Sequence, residues 1–222
     1  MSEGKSSIHV KGIGQVTQTP DWVVLSLTLT AQNSDYSSAL RIGSQQVEML
    51  RESIVAAGFK ADDLKTMNFV VRAIYEDEER REGSSKRYRQ VFVGFECQHD
   101  LRMSFDFDND KLNAAVDSIA KCLSEPKISL AFTVKDAESF NDKLLKSAAH
   151  DAKRKAKALC AASGVKLGKL ISIDYSWDEV TVRREVCLQE RAVLGCSSDA
   201  AFDFQPDDVK ASDTVDFLWE IE

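Results

Sequence analysis

The chain switches several times between hydrophobic patterns of period two, typical of strands, and patterns of period three to four, typical of helices. Residues 8–18 alternate and predict a first strand, and a Thr-Pro-Asp turn at 19–21 separates it from a second strand. The second strand places four apolar side chains on one face: Val23, Leu25, Leu27 and Leu29. From about Asp35 the apolar spacing becomes helical, so a helix is predicted from there to Gly58.

Two long alternating runs follow. The first places Met67, Phe69, Val71, Ala73 and Tyr75 on one face. The second places Val91, Val93, Phe95, Cys97, His99, Leu101 and Met103 on one face, which we interpret as a core face. The charged sequence EDEERREGSSKRYR between them predicts a solvated hairpin arm at about 76–90, acidic in its first half and basic in its second.

Further helical and strand patterns continue the chain. A second helix is predicted from about 109 to 123, with Leu112, Val116, Ile119 and Leu123 inward. Pro126 precedes a strand that carries Ile128, Leu130, Phe132 and Val134. A third helix is predicted over about 137–163, closed by Gly164 and lined with Ala148, Ala152, Ala156 and Leu159. Its small side chains would allow a neighbouring element to approach closely.

The remaining pattern is less regular. A strand is predicted with Ile171, Ile173, Tyr175 and Trp177, and the last ten residues alternate as Val215, Phe217, Trp219 and Ile221. Residues 178–212 have no steady period and are interpreted as an insertion or loop. We expect the terminal strand to lie at a sheet edge, where its unpaired backbone would favour association with another subunit.

The order of elements from 21 to 134 is strand, helix, strand, strand, helix, strand. This order predicts an α+β fold whose antiparallel sheet has a ferredoxin-like βαββαβ core. The third helix and the additional strands extend that core. We interpret residues 1–222 as a single domain.

Composition excludes several function classes. With 36 acidic against 29 basic residues, the net charge of −7 argues against nucleic-acid binding. No apolar segment predicts membrane insertion or a leader, so the chain is expected to be cytoplasmic, or periplasmic or exported if a signal segment was removed. The five cysteines lack a CxxC pair and favour a reducing compartment over a disulfide framework or zinc knuckle.

Two glycines in the first strand, Gly12 and Gly14, resemble the start of a dinucleotide-binding loop. That motif requires a third glycine and a following helix, whereas Thr17 and a second strand occur here. The glycines therefore predict a bulge or a close backbone approach.

Histidines and cysteines offer few catalytic or metal-binding combinations. Cys97 and His99 lie two residues apart on a predicted core face, without a further ligand pair at zinc spacing. In the third helix, His150, Asp151 and Cys160 do not share one face. We therefore predict no catalytic, metal or cofactor site from these residues.

Charged clusters are interpreted in the same way. The basic run Lys153, Arg154, Lys155 and Lys157 predicts a solvated helix face. The acidic groups Asp62-Asp63, Glu76 to Glu79 and Asp207-Asp208 are placed in loops or turns. A solvated or capping role is expected for them, with Asp62 or Asp63 ending the turn before a strand, because a general acid needs a carboxyl whose pKa is raised by burial.

Three stretches together resemble the SIMPL-domain family, which includes bacterial periplasmic immunogenic proteins and was formerly a domain of unknown function. They are IHVKGIGQVTQTPDWVVLSL, DDLKTMNFVVRAIYE and AAHDAKRKAKALCAASGVKLGKLISI. The resemblance spans about residues 8–177 and the final strand. It implies an α+β domain that self-assembles, has loose links to stress response or signalling, and carries no established catalytic residues.

These observations favour a non-catalytic structural or interaction protein that forms a homo-oligomer and binds an unidentified protein partner. The alternative is a small-ligand or peptide binding module, with the ligand between the helices and the 178–212 insertion. A thiol-dependent enzyme or hydrolase would require His99 or His150 to meet a cysteine or carboxylate across the fold.

Overall fold

The computed structural model describes residues 6–82, 85–175, 184–187 and 203–222. Within these ranges the helices are α1 Tyr36–Ala56, α2 Asn109–Ala120 and α3 Ala137–Ser163, with a single 3-10 turn at Ala61–Asp63. The strands are β1 Ser7–Gln18, β2 Trp22–Asn33, β3 Lys65–Glu82, β4 Ser85–Asp106, β5 Lys127–Thr133, β6 Leu167–Asp174, β7 Arg184–Cys187 and β8 Val209–Ile221.

An aspartate begins each of the three helices. The carboxylates of Asp35, Asp108 and Asp136 accept hydrogen bonds from the backbone amides three residues on, at 2.8–3.0 Å. Such caps satisfy amides that the first helical turn leaves without a partner, and each stabilises a helix by about 1 kcal/mol. Gly164 ends α3 in the left-handed conformation that the sequence predicts for it.

The chain forms two compact units, each with its own sheet. The first unit comprises Met1–Asp21, Phe132–Arg184 and Pro206–Glu222. Its three-stranded sheet has the order β1-β8-β6, and β8 runs antiparallel to both neighbours. α3 packs on this sheet, and its alanines form a core with side chains of β1 and β8: Val10, Ala148, Ala152, Ala156, Val215, Phe217 and Trp219.

The second unit comprises Trp22–Ala131 and Glu185–Gln205. Its five-stranded sheet has the order β3-β4-β2-β5-β7, and β4 runs antiparallel to both β2 and β3. α1 packs on β2 and β4, and α2 packs on α1. The predicted apolar face of β2 is fully buried, at Val23, Leu25, Leu27 and Leu29. Each such side chain contributes roughly 1.5–3 kcal/mol of hydrophobic stabilisation.

Helices and antiparallel sheets together confirm the α+β class. The more specific ferredoxin-like description stays a prediction, as does the single domain over 1–222. The strands predicted at 8–18 and 128–134 and the bounds of α3 are found where the sequence placed them.

The predicted position of the terminal strand at a sheet edge is wrong. β8 lies in the middle of its sheet, paired with β1 along its whole length and with β6 on its other side. Of the residues that alternate in this strand, Val215, Phe217 and Trp219 are buried and Ile221 is half-buried. Alternation reports which face of a strand is covered, but it carries no information about which strands lie beside it.

Two predicted inward residues point to solvent instead. Leu123 is 88% exposed because α2 ends at Ala120, before the helical pattern reaches it. Leu159 is 51% exposed, and Cys160 takes its place at the buried end of α3.

The predicted common face of β4 is interrupted by a β-bulge. Ile74 pairs with Gly94, but Tyr75 pairs with Phe92, so that Val93 is an extra residue in β4. The bulge brings the Phe92 ring to 5.2 Å from the ring centroid of Phe95, and Val91 and Val93 are exposed. Of the predicted face, Cys97, Leu101 and Met103 are buried, His99 is half-buried, and Phe95 packs against the cluster around Cys97.

The predicted arm at 76–90 is a hairpin, in which β3 and β4 stay paired out to Glu82 and Ser85. The predicted insertion at 178–212 ends too late, because β8 begins at Val209. Most of that segment, together with Trp177, lies outside the described residues.

Candidate functional site: the outer edges of the sheets

Edge strands are the candidate sites, because an unpaired row of backbone N–H and C=O groups can pair with another chain. In the part of the chain that the structure describes, β1 and β6 are the edges of the smaller sheet, and β3 and β7 are the edges of the larger. The outer sides of β1, β6 and β3 differ in what protects them.

α3 lies directly against β1 because two glycines leave room for it. A Cβ atom at Gly12 would overlap the carbonyl oxygen of Ala148 and lie 2.8 Å from Ala152 Cβ. At Gly14 it would overlap the Leu144 carbonyl oxygen. The close backbone approach predicted for these glycines is therefore confirmed, and its partner is the alanine face of α3.

Side chains of α3 occupy the outer backbone groups of β1, and we call this region (Lys11 to Gln15) the covered edge. Three hydrogen bonds form it: Ile13 N to Asp151 Oδ2 at 2.9 Å, Gln15 N to Ser147 Oγ at 3.1 Å, and Lys155 Nζ to the Lys11 carbonyl at 3.1 Å. Ser147, Asp151 and Lys155 are spaced by four residues and form one row, next to the alanines that face Gly12 and Gly14. The covered edge therefore cannot pair with another strand unless these bonds break.

Asp151 is the centre of the covered edge. Its carboxylate accepts from Lys155 Nζ at 2.6 Å and from the Arg154 guanidinium at 2.7 Å, in addition to the Ile13 amide. The hydrogen bond from Lys155, then those from Ile13 and Arg154, hold the pKa of Asp151 well below its usual value. The carboxylate is therefore charged, and available as an acceptor, over the whole physiological pH range.

β6 is an irregular edge. Its pairing with β8 shifts register between Leu167 and Leu170 and again between Leu170 and Ser172. Bulges of this kind twist an edge strand and weaken it as a template for a new strand. Ile171 and Ile173 are nonetheless about half exposed.

We call the outer side of β3 from Phe69 to Tyr75 the open edge. Within the described ranges it is protected neither by a covering helix, as β1 is, nor by bulges of its own, as β6 is. From Asn68 to Glu82, β3 pairs with β4 and contributes no extra residue to the ladder. Among the described residues, no strand or side chain bonds to its outer backbone groups. Phe69, Val70 and Tyr75 are 46%, 41% and 56% exposed. A long, regular edge with exposed apolar side chains is a favoured site for strand pairing.

Aromatic contacts hold both ends of the open edge in place. The Phe69 ring lies 4.4 Å from the His99 ring, between centroids. Tyr75 meets Phe92 edge to face at 5.7 Å, and Phe95 links Phe92 to Tyr36 at the start of α1. These rings are therefore ordered but remain partly exposed, as binding residues often are.

An ion pair occupies the middle of the open edge. Arg72 Nε donates to Glu96 Oε1 at 2.7 Å, and Gln32 Nε2 donates to Glu96 Oε2 at 2.8 Å. The hydrogen bond from Gln32 and the Arg72 guanidinium lower the pKa of Glu96 although the residue is buried. Glu96 is thus a carboxylate that compensates the charge of Arg72.

A second carboxylate on the same strand is also stabilised in its charged form. Asp100 accepts from Gln98 and Thr28 at 2.9 Å and from Asn68 at 3.3 Å. These hydrogen bonds lower the pKa of Asp100. A general acid needs the opposite shift, so neither Glu96 nor Asp100 has the property of a catalytic acid.

Cys97 and His99 lie on the buried side of β4, as predicted. A Cβ atom at Gly43 of α1 would lie 2.8 Å from Cys97 Sγ and 3.6 Å from His99 Nδ1, so α1 packs tightly over both. Burial raises the pKa of the Cys97 thiol and lowers the pKa of His99, against the opposing effect of Asp100. The described residues contain no group of three or more potential metal ligands.

The residues predicted to diverge on α3 do so. His150 is exposed, Asp151 contacts β1 and Cys160 is buried. The prediction of a solvated basic run holds for Lys153, Arg154 and Lys157, which are exposed, although Arg154 also pairs with Asp151. It is wrong for Lys155, which is partly buried and pairs with Asp151. This pairing was not anticipated, because the sequence does not show that β1 lies beside this row.

The acidic groups have structural roles. The Asp63 carboxylate accepts from the Lys60 amide at 3.0 Å, which confirms the predicted cap. Asp208 accepts from Thr19 Oγ1 at 3.1 Å. The loop placement of Glu76 to Glu79 is wrong, since these residues belong to β3.

The open edge was missed at the sequence level although its signal is present. FVVRAIY combines high β propensity with a single charge, which is the composition of an association-prone strand. Its position at a sheet edge could be learned only from the pairing of β3.

No helix in the described ranges is long and apolar enough to cross a membrane.

The two sheets and three packed helices define an α+β protein whose candidate sites are strand edges. The chain matches the model of the SIMPL family, described as a protein of unknown function (DUF541), over residues 8–219. The chain therefore belongs to the SIMPL family. It is also similar to an uncharacterized protein, YggE, of Edwardsiella ictaluri (strain 93-146), with 23% identity over 214 residues that cover 96% of this chain and 86% of the relative.

Proposed function

We propose that this SIMPL protein is a non-catalytic interaction protein that associates with itself through the open edge of β3. The observation that carries the proposal is the contrast between β1, whose outer backbone groups are bonded to α3, and β3, whose regular outer edge bears exposed apolar side chains. Edge strands without protection pair readily with a second strand.

The non-catalytic part of the proposal is supported by the titratable groups. The pKa values of the Glu96, Asp100 and Asp151 carboxyls are lowered, whereas a general acid requires a raised value. Cys97 is buried and its thiol pKa is raised, which disfavours the nucleophilic thiolate.

Light scattering across a dilution series tests the proposal. The purified protein is expected to show a stable multiple of the 24.7 kDa chain mass. Val70→Lys places a charge at the open edge. The dissociation constant for self-association of this variant should be at least about tenfold higher than that of the wild type.

Val91→Lys is the matched control, because Val91 is similarly exposed (38% against 41% for Val70) but lies on β4, opposite Glu76 of β3 and outside the open edge. This variant should keep the mass of the wild type. A monomer at every concentration, or equal effects of both substitutions, would contradict the proposal.

A further inference from the structure

The side chains of the open edge are arranged symmetrically about Arg72. Phe69 and Tyr75 are aromatic, Val70 and Ile74 are branched aliphatic, and Val71 and Ala73 are small or medium-sized and apolar. Each pair is equidistant from Arg72 along β3, because the bulge between Ile74 and Tyr75 adds its extra residue to β4 and none to β3.

We infer that the occupant of the open edge is the same edge of a second copy, paired antiparallel with the two-fold axis at Arg72. This inference rests on the proposed function and specifies its geometry. In an antiparallel pair related by a two-fold axis normal to the sheet, residue i lies opposite residue 144 − i when the axis passes through residue 72. Residues opposite one another then lie on the same face, as the pleat requires.

This register places matching side chains together. Phe69 of each copy lies opposite Tyr75 of the other copy, and Val70 of each copy lies opposite Ile74 of the other. Aromatic and aliphatic cross-strand pairs are the units that stabilise antiparallel sheets. The exposed rings already rest against His99 and Phe92, so they lose little freedom when they pair.

The one like-charge contact is compensated. Arg72 would face its own copy at the axis, which is unfavourable for two free guanidinium groups. Each Arg72 is held by Glu96 at 2.7 Å, so the two ion pairs meet with little net charge. A two-fold contact uses the open edge once in each chain, and the inferred assembly is therefore a closed dimer of about twice 24.7 kDa.

Cysteine cross-linking tests this register. The test uses the full chain with Cys187 and Cys196 replaced by serine, since Cys97, Cys122 and Cys160 are buried. Opposite residues in an antiparallel pair have Cα atoms about 4.5–5.5 Å apart, within the range of a disulfide. Arg72→Cys should therefore form a disulfide-linked dimer under mild oxidation.

A mixed experiment keeps Arg72 in place. Val70→Cys mixed with Ile74→Cys should cross-link at least about tenfold faster than either variant alone, because identical positions lie four residues apart, or roughly 13 Å along the strand. Leu159→Cys, exposed on α3, is the control for random collision and should cross-link slowly.

The outcomes separate the register from self-association itself. Selective cross-linking of the mixed pair supports the inference. A dimer by light scattering that cross-links best at Val71→Cys or Ala73→Cys alone overturns this register but leaves association through β3 intact. A dimer without selective cross-linking at any of these positions overturns the inferred surface, and a monomer overturns both the register and the proposed function.

Discussion

The covered edge of β1 and the open edge of β3 show two treatments of the same physical problem. Both strands are long and have a partner strand on one side only, among the described residues. Along β1, a helix lies close enough for its side chains to bond to the outer amides. Along β3, apolar side chains flank outer backbone groups that no described residue bonds to.

The difference depends on small residues rather than on charge. Gly12 and Gly14 admit α3 to within contact of the β1 backbone, and only then do Ser147, Asp151 and Lys155 reach its outer groups. β3 contains no glycine in its sequence, so a helix could not approach its backbone in the same way. The comparison predicts that the close approach of α3, and not β propensity, decides which edge strand can pair with another chain.

The largest effect is expected from Gly12→Ala. The added Cβ would overlap the Ala148 carbonyl, so α3 or β1 must move, at a cost of roughly 1–3 kcal/mol or more in the free energy of unfolding. Urea unfolding measures this cost.

Gly164→Ala is the control for Gly12→Ala. Gly164 has a positive φ of 72° and nothing within 4 Å of an added Cβ. Gly164→Ala should therefore lower the free energy of unfolding only by the conformational cost of about 1–2 kcal/mol. A Gly12→Ala protein as stable as the wild type would mean that the close approach is not needed to cover β1.

Removal of the side chains that cover β1 should create a second open edge. In Ser147→Ala/Asp151→Ala, the Ile13 and Gln15 amides lose their acceptors, and association beyond the wild-type mass is expected at micromolar concentration. Light scattering measures it. His150→Ala/Lys153→Ala, which alters exposed positions of the same helix, should keep the wild-type mass.

The labelling rate of Cys160 is a local measure of how tightly α3 covers the sheet, and its expected change is smaller. Cys160 is buried at the C-terminal end of α3, and its reaction with a thiol reagent requires that the helix move away from the sheet. In Gly12→Ala the labelling rate of Cys160, followed by peptide mass spectrometry, should rise about tenfold. The rate of Cys97, in the other unit, should not change; an equal rise at both sites would indicate global unfolding instead.

The smallest effect concerns pH. The lowered pKa of Asp151 means that the folded state binds fewer protons than the unfolded state, so stability from this group is complete above an unfolded pKa of about 3.9 and is lost as the pH falls towards the folded value. The unfolding free energy of the wild type should therefore exceed that of Asp151→Asn by a constant amount near neutral pH. That difference should shrink below about pH 4. A difference that grows on acidification would contradict the role of the charged carboxylate.

Local features of the fold were predictable from the sequence. The bounds of α3 follow from its helical spacing and from Gly164, and the buried face of β2 follows from strict alternation. For Gly12 and Gly14 the sequence left two roles, a bulge or a close backbone approach, and the structure shows the second. The helix bounds and the strand alternation depend on residues that are near in sequence, whereas the partner of the two glycines, α3, is distant in the chain and was not predicted.

Features that depend on distant partners could not be predicted. The central position of β8 and the pairing of Asp151 with Ile13, 138 residues away, arise from tertiary contacts that leave no periodic signal. The bulge at Val93 reverses the face of the strand beyond it, because one extra residue shifts a period of two. The open edge was missed for the same reason: its composition is visible, but its position in the sheet is not.

The central position of β8 also bears on how the protein is made. Ser7 pairs with Glu220, and both β1 and β6 use β8 as their strand partner. During synthesis these strands emerge long before β8 does, and the smaller sheet cannot assemble until residues 209–221 have left the ribosome. Such distant pairing slows folding, whereas β2, β3 and β4 can pair as soon as residue 106 is available. We therefore expect the larger sheet to form first on the nascent chain.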